Sequence, residues 1–266
     1  MSPVYTDICF NFTHSAFRKD EAEVLARAVE AGVTQLIVTG SSIEESRQGI
    51  ALAEKYPQHL WATAGVHPHL ASEWNAQSKA DVIEMAKHEK AVAIGECGLD
   101  FNRDFSPREK QKYAFEAQLE LAAELELPAF MHERDAHDEF MRILERYRDD
   151  LTAAVIHCFT GEKSQLENYL ALDLYVGITG WICDERRGHH LHEIVTLIPD
   201  NRLLIETDAP YLLPRDLSPK PKERRNEPAF LPHICRAIAQ HRNTEEAELA
   251  QLSTANAANF FKLSQH

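Results

Sequence analysis

The chain has 266 residues, is 44% apolar and 26% charged, and carries a formal net charge of −14. Its length and apolar content suit one large α/β core rather than an ordinary small domain. The acidic balance excludes a surface that coats nucleic acid broadly, because phosphate repels it, but leaves room for a local basic groove.

In chain order, short apolar runs at 4–10, 35–39, 60–66, 91–96, 129–132, 153–157, 174–178 and 202–206 read as strands. Several are apolar throughout, as parallel strands buried on both faces should be. Helical segments with start signals lie between them. Asp20 precedes Glu23, Ser42 precedes Glu45, and Ser106-Pro107 with Glu109 combines an N-cap, a first-turn proline and a capping-box glutamate. Gly32 stops the first helix just before the second strand. The stretch 210–228 holds five prolines and many charges and reads as an extended active-site loop, followed by helices at 231–241 and 244–263. Eight strand–helix repeats without a composition break predict a single domain, 1–266, of the α/β class, a (β/α)8 TIM barrel. An open doubly wound sheet would place a Gly-rich phosphate loop after the first strand, where Phe10-Asn-Phe-Thr-His14 stands instead.

No run approaches the roughly 20 apolar residues of a membrane span. Met1-Ser-Pro-Val-Tyr-Thr-Asp7 lacks the basic and apolar regions of a signal peptide. Five cysteines without close pairing suit reduced thiols, so a cytoplasmic protein is expected, with no membrane partner and monomer as the default.

Four of the apolar runs lead into Glu96, His132, His157 and Asp208. In a barrel, strand C-termini converge on one mouth although they are far apart in sequence. A carboxylate, two imidazoles and a second carboxylate there form a ligand set for one or two divalent cations. A lone histidine at a strand end is more often a hydrogen-bonded core residue than a ligand, and Glu96 alone reads as a structural ion pair, but coincidence does not explain four such residues at four strand ends. A bound metal would polarise a phosphoryl or carbonyl oxygen and acidify water, with Asp208 orienting that water or taking its proton. His67 and His69 follow the third strand, and Pro68 should keep them extended with both rings pointing one way. His67 is read as a substrate contact, and His69 stays open between ligand, phosphate contact and surface residue. Arg103, Arg134, Arg186, Arg187, Arg215, Lys220, Lys222, Arg224 and Arg225 fall in or near loops after strands, as a basic groove or as solvated charges. Cys97 and Cys158 follow ligand-like residues and should face away into packing.

Together these runs resemble the TatD family of metal-dependent deoxyribonucleases, among the amidohydrolase-like barrels. The resemblance spans nearly the whole chain and rests on Ala64-Gly-Val-His-Pro-His69, Ala93-Ile-Gly-Glu-Cys-Gly-Leu-Asp100, Phe130-Met-His132, Ile156-His-Cys-Phe-Thr-Gly161, Gly177-Ile-Thr-Gly180, Glu206-Thr-Asp-Ala-Pro-Tyr-Leu212 and Arg225-Asn-Glu-Pro228. It implies a 3′–5′ exonuclease that hydrolyses phosphodiesters of single-stranded DNA and RNA, in DNA repair or degradation. Mg²⁺ is the implied cofactor, with Mn²⁺ or Zn²⁺ as alternatives. By motif matching Glu96, His132 and His157 take the metal positions, and Asp208 with Glu96 the catalytic ones. Arg134, His67 and one or more of Arg186, Arg187 and Arg215 would neutralise substrate phosphate.

One departure from the family pattern is visible. Where the family carries Asp-x-His-x-His, this chain reads Asp7-Ile-Cys-Phe-Asn11. Asn11 could offer a carbonyl oxygen, whereas Cys9 is a poor magnesium ligand. A weakly held hard cation arriving with substrate phosphate is therefore expected over a preassembled two-metal centre. Two rivals follow: a hydrolase of another ester or amide, such as an aminoacyl-tRNA deacylase, and a non-catalytic nucleic-acid-binding protein.

Overall fold

Apolar runs bounded by glycine, proline and capping residues become strands, and the amphipathic segments between them become helices. In a computed structural model that describes residues 3–263, the strands are β1 (Tyr5–Phe10), β2 (Val33–Val38), β3 (Leu60–Ala64), β4 (Ala91–Asp100), β5 (Ala129–Arg134), β6 (Ala154–Ile156), β7 (Tyr175–Ile178) and β8 (Leu203–Ile205). The extreme ends of the 1–266 span lie outside the described residues. The strands hydrogen-bond in chain order within one eight-stranded sheet, and a parallel bridge from Phe10 to Ala209 joins the ends of β1 and β8. The helices are α1 (Glu21–Glu30), α2 (Ile43–Lys55), α3 (Ala76–Ala86), α4 (Arg108–Glu124), α5 (His137–Tyr147), α6 (Lys163–Ala171), α7 (His189–Leu197), α8 (Leu231–Arg242) and α9 (Glu246–Phe261). This alternation is the (β/α)8 TIM-barrel class that the sequence predicts.

Ser42 caps α2 as expected, its hydroxyl accepting from the Glu45 N–H at 3.1 Å. Gly32 follows α1 at φ +88°, and a Cβ there would stand 2.8 Å from the Pro3 carbonyl oxygen. Two expected caps serve other ends. Asp20 makes no side-chain cap to α1; Arg225 takes both its carboxylate oxygens, at 2.8 and 2.6 Å. Ser106 is buried one residue ahead of the Pro107 cap position. Its hydroxyl accepts from Ser72 N–H and donates to the His69 carbonyl, fastening the segment that carries His67 and His69.

The described residues fall into two compact units, one of 3–37, 158–170 and 175–263, the other of Val38–His157 with Ala171–Leu174. In the first, Phe10 stacks on Phe12 at 4.4 Å and meets Phe17 edge-on at 5.1 Å between ring centroids. In the second, Phe115 of α4 stacks on Phe140 of α5 at 4.9 Å, binding those helices over β4 and β5. Each such buried ring contributes about 1.5–3 kcal/mol from area alone.

β4 runs four residues past its expected end at Glu96. Gly95 and Gly98 take φ +143° and +140°, a region closed to residues with side chains, and a Cβ on either would collide with the β5 backbone. Pairing with β5 moves from Ile94–Ala129 to Cys97–Met131, so β4 fits three steps against two. This bulge re-aims the residues beyond it.

Candidate metal centre

The second unit gathers a histidine–carboxylate cluster, and β4 organises it. Past the bulge, Gly98 pairs in register with His132. Glu96 and Asp100 flank Gly98 on the same face of the strand, two residues away on either side. With no side chain at Gly98 the β5 backbone closes up against β4, since a Cβ would stand 1.9 Å from the His132 carbonyl oxygen, and the His132 ring lies between the two carboxylates. Its Nδ1 lies 3.2 Å from Glu96 Oε1 and its Nε2 3.7 Å from Asp100 Oδ2.

Glu96 Oε1 is the hub of this cluster. His157 Nε2 stands 2.8 Å from it and His67 Nε2 3.2 Å, in addition to His132. Burial alone would push the Glu96 carboxyl up, but the facing imidazoles of His67, His157 and His132 outweigh it and hold it well below the usual carboxylate range. His157 follows the end of β6, and its ring stacks on Phe130 at 4.8 Å, which fixes its plane. Ligand atoms of His67, Glu96 and His132 lie within 4.8 Å of one another, a spacing one cation could draw together.

Pro68 opens a short 3₁₀ turn, Pro68–Glu73, in place of the extended segment the sequence suggests. The His67 and His69 rings therefore meet edge-on, at 77°, rather than pointing one way. His67 turns to Glu96, and His69 Nε2 reaches Asp100 Oδ2 at 2.6 Å. Burial holds the His67 imidazole below its usual value, the neutral form that a metal ligand needs. For His132 burial acts the same way, but the carboxylates of Asp100 and Glu96 outweigh it and raise the imidazole.

Asp100 belongs to this cluster although sequence reasoning did not single it out. It is buried, and its Oδ1 accepts from the Asn102 and Arg103 N–H groups at 3.0 and 2.8 Å. Burial would raise its carboxyl, yet His132, His69 and the Arg103 N–H together hold it far below the usual range. Its position four residues after Glu96, across two glycines, was the available signal.

His132 Nε2 is a buried nitrogen with no hydrogen-bond partner among the described residues, Asp100 Oδ2 standing beyond hydrogen-bond reach at 3.7 Å. An unpaired buried imidazole nitrogen beside two depressed carboxylates is costly unless a ligand occupies it. The donor set of imidazole nitrogens and carboxylate oxygens fits a divalent cation.

The first unit holds Asp208 and the two first-strand positions, Cys9 and Asn11. Asp208 lies beyond β8 at φ +55°. Its backbone N–H donates to the Cys9 carbonyl at 3.0 Å, and its Oδ1 accepts from Asn11 Nδ2 at 2.9 Å and from the Cys9 thiol at 3.5 Å. The two first-strand residues that replace histidines thus donate to the aspartate. Below them, buried Asp7 accepts from the Thr207 N–H, its hydroxyl and the Cys9 N–H, and burial pushes its carboxyl up to about 7. Glu206, fully buried, accepts from the Cys158 N–H. Asn226 ties the Thr207 and Tyr211 carbonyls together, at 2.9 and 2.7 Å.

The predicted basic residues divide. Arg134 ends β5 and is exposed. Arg187 pairs with Asp184 at 3.0 Å while lying over the Trp181 ring, and Arg215 pairs with Glu185 at 3.0 Å. Arg225 joins Asp20 and Glu227, and Arg27 pairs with the same two acids, as a structural network. Cys97 is buried, its thiol directed to the Phe130 carbonyl, in keeping with a packing role.

Fold and cluster define a (β/α)8 barrel protein with a histidine–carboxylate centre able to hold a divalent cation. Residues 6–262 match the family described as TatD related DNase. The 3′-5′ ssDNA/RNA exonuclease TatD of Citrobacter rodentium is 55% identical over 255 residues, 96% of this chain and 97% of that one. The protein of the same description from Salmonella typhimurium is 53% identical over 257 residues, 97% and 98% of the two chains. A solved TatD homologue from Escherichia coli matches with a TM-score of 0.88 at 29% identity, covering 98% of both chains. The chain belongs to the TatD related DNase family. None of its helices, among the described residues, is long and apolar enough to cross a membrane.

Proposed function

We propose that this chain is a metal-dependent 3′–5′ exonuclease that hydrolyses terminal phosphodiesters of single-stranded DNA and RNA, with Mg²⁺ as its ion and a role in DNA repair or degradation. The relatives' description as ssDNA/RNA exonucleases supports the substrate and polarity. The observation that carries the chemistry is Glu96 Oε1 ringed by three imidazole nitrogens, beside a His132 Nε2 without a hydrogen-bond partner among the described residues.

Glu96, His132 and His157 are the residues assigned to hold the ion, with His67 alongside them. When bound, a divalent cation supplies a polarised phosphoryl oxygen and a more acidic water. Glu96 brings the negative charge that sets the affinity. Asp100 Oδ2 orients the His69 ring and flanks His132, the role that outer carboxylates play beside ligating histidines. Asp208 Oδ1 is assigned the proton of the attacking water. Asn11 and Cys9 hold that oxygen in place, which gives the replaced first-strand positions a task other than ligation. One ion suffices for this scheme. Arg134 and His67 are assigned to the incoming phosphate, the arginine as a charge-assisted contact. The chain works as a single cytoplasmic domain and as a monomer, and none of its five cysteines forms a disulfide among the described residues.

Single strands labelled at the 3′ or the 5′ end, digested across Mg²⁺, Mn²⁺ and Zn²⁺, test this reading. It predicts labelled mononucleotide as the first product from the 3′ label and a ladder shortening from the 3′ side with the 5′ label. Mononucleotide released first from the 5′ label would overturn the polarity. Faster turnover of charged tRNA than of DNA would replace the nuclease with an ester hydrolase.

A further inference from the structure

The geometry points to a second cation site, built from Cys183, Asp216 and His233 and suited to Zn²⁺, that clasps the loop after β8. It lies wholly within the first unit and does not depend on the nuclease reading. Three segments meet there. Cys183 closes a 3₁₀ turn, Gly180–Cys183, after β7. Asp216 stands in the proline-rich loop, and His233 is in the first turn of α8.

Ligand atoms of the three side chains lie within 4.8 Å of one another. His233 Nε2 is 2.8 Å from Asp216 Oδ1. The turn and the loop are pressed together independently of these side chains, since a Cβ on Gly180 would stand 2.6 Å from the Leu212 carbonyl oxygen. Cys183 is buried beneath, whereas the Asp216 side chain is 51% exposed, so an ion could enter from solvent on the carboxylate side. Two neighbouring arginines are committed elsewhere: Arg215 pairs with Glu185 and Asp184, and Arg187 with Asp184. Asp216 pairs with His233, and both lie beside the Cys183 thiol.

Ligand chemistry selects the ion. One sulfur, one imidazole nitrogen and one carboxylate oxygen, with a water in the fourth position, form a tetrahedral zinc set, and sulfur disfavours magnesium. Binding breaks the Cys183 S–H bond, releases the proton to water and forms the metal–thiolate bond, while His233 and Asp216 each donate a lone pair. Without metal the thiol stays protonated, because burial and then the Asp216 charge raise it well above its usual value. A bound ion would join the loop to α8 and to the β7 exit by three bonds.

Full-length protein stripped with chelator and titrated with Co²⁺ tests the site, in the Glu96→Ala variant so that the other centre does not contribute. One equivalent of Co²⁺ should bind with a near-ultraviolet thiolate-to-metal absorption band, and Zn²⁺ should displace it. Cys183→Ser should abolish the band, and Cys9→Ser should leave it intact. Asp216→Asn, a change at an exposed carboxylate that keeps the fold, should weaken Co²⁺ by more than the roughly 10- to 100-fold cost of losing an outer partner. Absence of the band from Glu96→Ala, its survival in Cys183→Ser, or unchanged affinity in Asp216→Asn would each overturn the site. If Cys183→Ser fails to fold, the Asp216→Asn affinity decides alone.

Discussion

Gly98→Ala places the smallest possible side chain where β4 and β5 touch. The added Cβ would stand 1.9 Å from the His132 carbonyl oxygen, a backbone atom that cannot rotate away. The residue would also keep φ near +140°, where a side chain is strained. Backbone strain of this kind costs about 1–3 kcal/mol and overpacking about 1–3 kcal/mol, together about 2–6 kcal/mol. For a chain of this size that lowers Tm by at least about 4 °C, at about 2–4 °C per kcal/mol. The same collision pushes His132 away from Glu96 and Asp100, so divalent-ion affinity should fall more than the stability loss explains. Calorimetric Tm and Mn²⁺ titration of the folded variant at low temperature separate the two effects. A Gly98→Ala protein with wild-type Tm and wild-type Mn²⁺ affinity would refute the claim that glycine is needed for β4 to seat His132.

Asp100→Asn keeps the oxygen that accepts from Asn102 and Arg103 but removes the charge facing His69 and His132. Metal affinity measured by titration calorimetry should drop by about 10- to 100-fold. Asn11→Ala removes the 2.9 Å donor to Asp208 Oδ1, so kcat should fall on the order of tenfold, within reach of a lost orienting contact, while Mn²⁺ affinity stays unchanged; a loss of affinity instead would make Asn11 a ligand. Asp7 supplies a pH test. Its carboxyl rises from an ordinary 3.8 to about 7 in the folded chain, so the folded state keeps a proton that the unfolded state has lost. Its contribution to stability is full below the unfolded value and is lost as pH rises through the folded one. Asp7→Asn, which cannot ionise, should therefore gain on wild type in Tm as pH goes from 4 to 7, and a difference flat across that window would contradict the buried protonated carboxyl.

The strand order and the meeting of His132 and His157 at Glu96 were legible because each residue follows a short apolar run, and such runs are what parallel strands require. Asp100 was hidden by the same logic. Glycine inside a strand reads as a stop, and only the paired backbones show that Gly95 and Gly98 let β4 continue past Glu96. The pairing of Asn11 and Cys9 with Asp208 depends on β1 meeting the end of β8, a contact between residues about 200 positions apart that no local spacing encodes. Asp20 and Ser106 carry true capping signals, but tertiary partners outbid the helix ends: a bidentate arginine for Asp20, and the His69 loop for Ser106. Pro68 restricts its neighbour as expected, yet the following residues close a turn, and that turn sets the His67 and His69 rings edge-on. For the arginines after β7 and in the long loop, charge was visible in sequence and acid partners were not.

The most direct measurement pairs metal binding with cleavage in one set of variants. Mn²⁺ binding and release of nucleotide from 3′-labelled single-stranded DNA are followed for wild type, Glu96→Ala, His132→Ala and Asp208→Asn. Glu96→Ala and His132→Ala should lose both binding and cleavage, whereas Asp208→Asn should bind Mn²⁺ as wild type does and cleave at least about 100-fold more slowly, the lower range for a lost general base. Full cleavage by Glu96→Ala, or unchanged Mn²⁺ binding in both Glu96→Ala and His132→Ala, would contradict a catalytic ion held by this cluster.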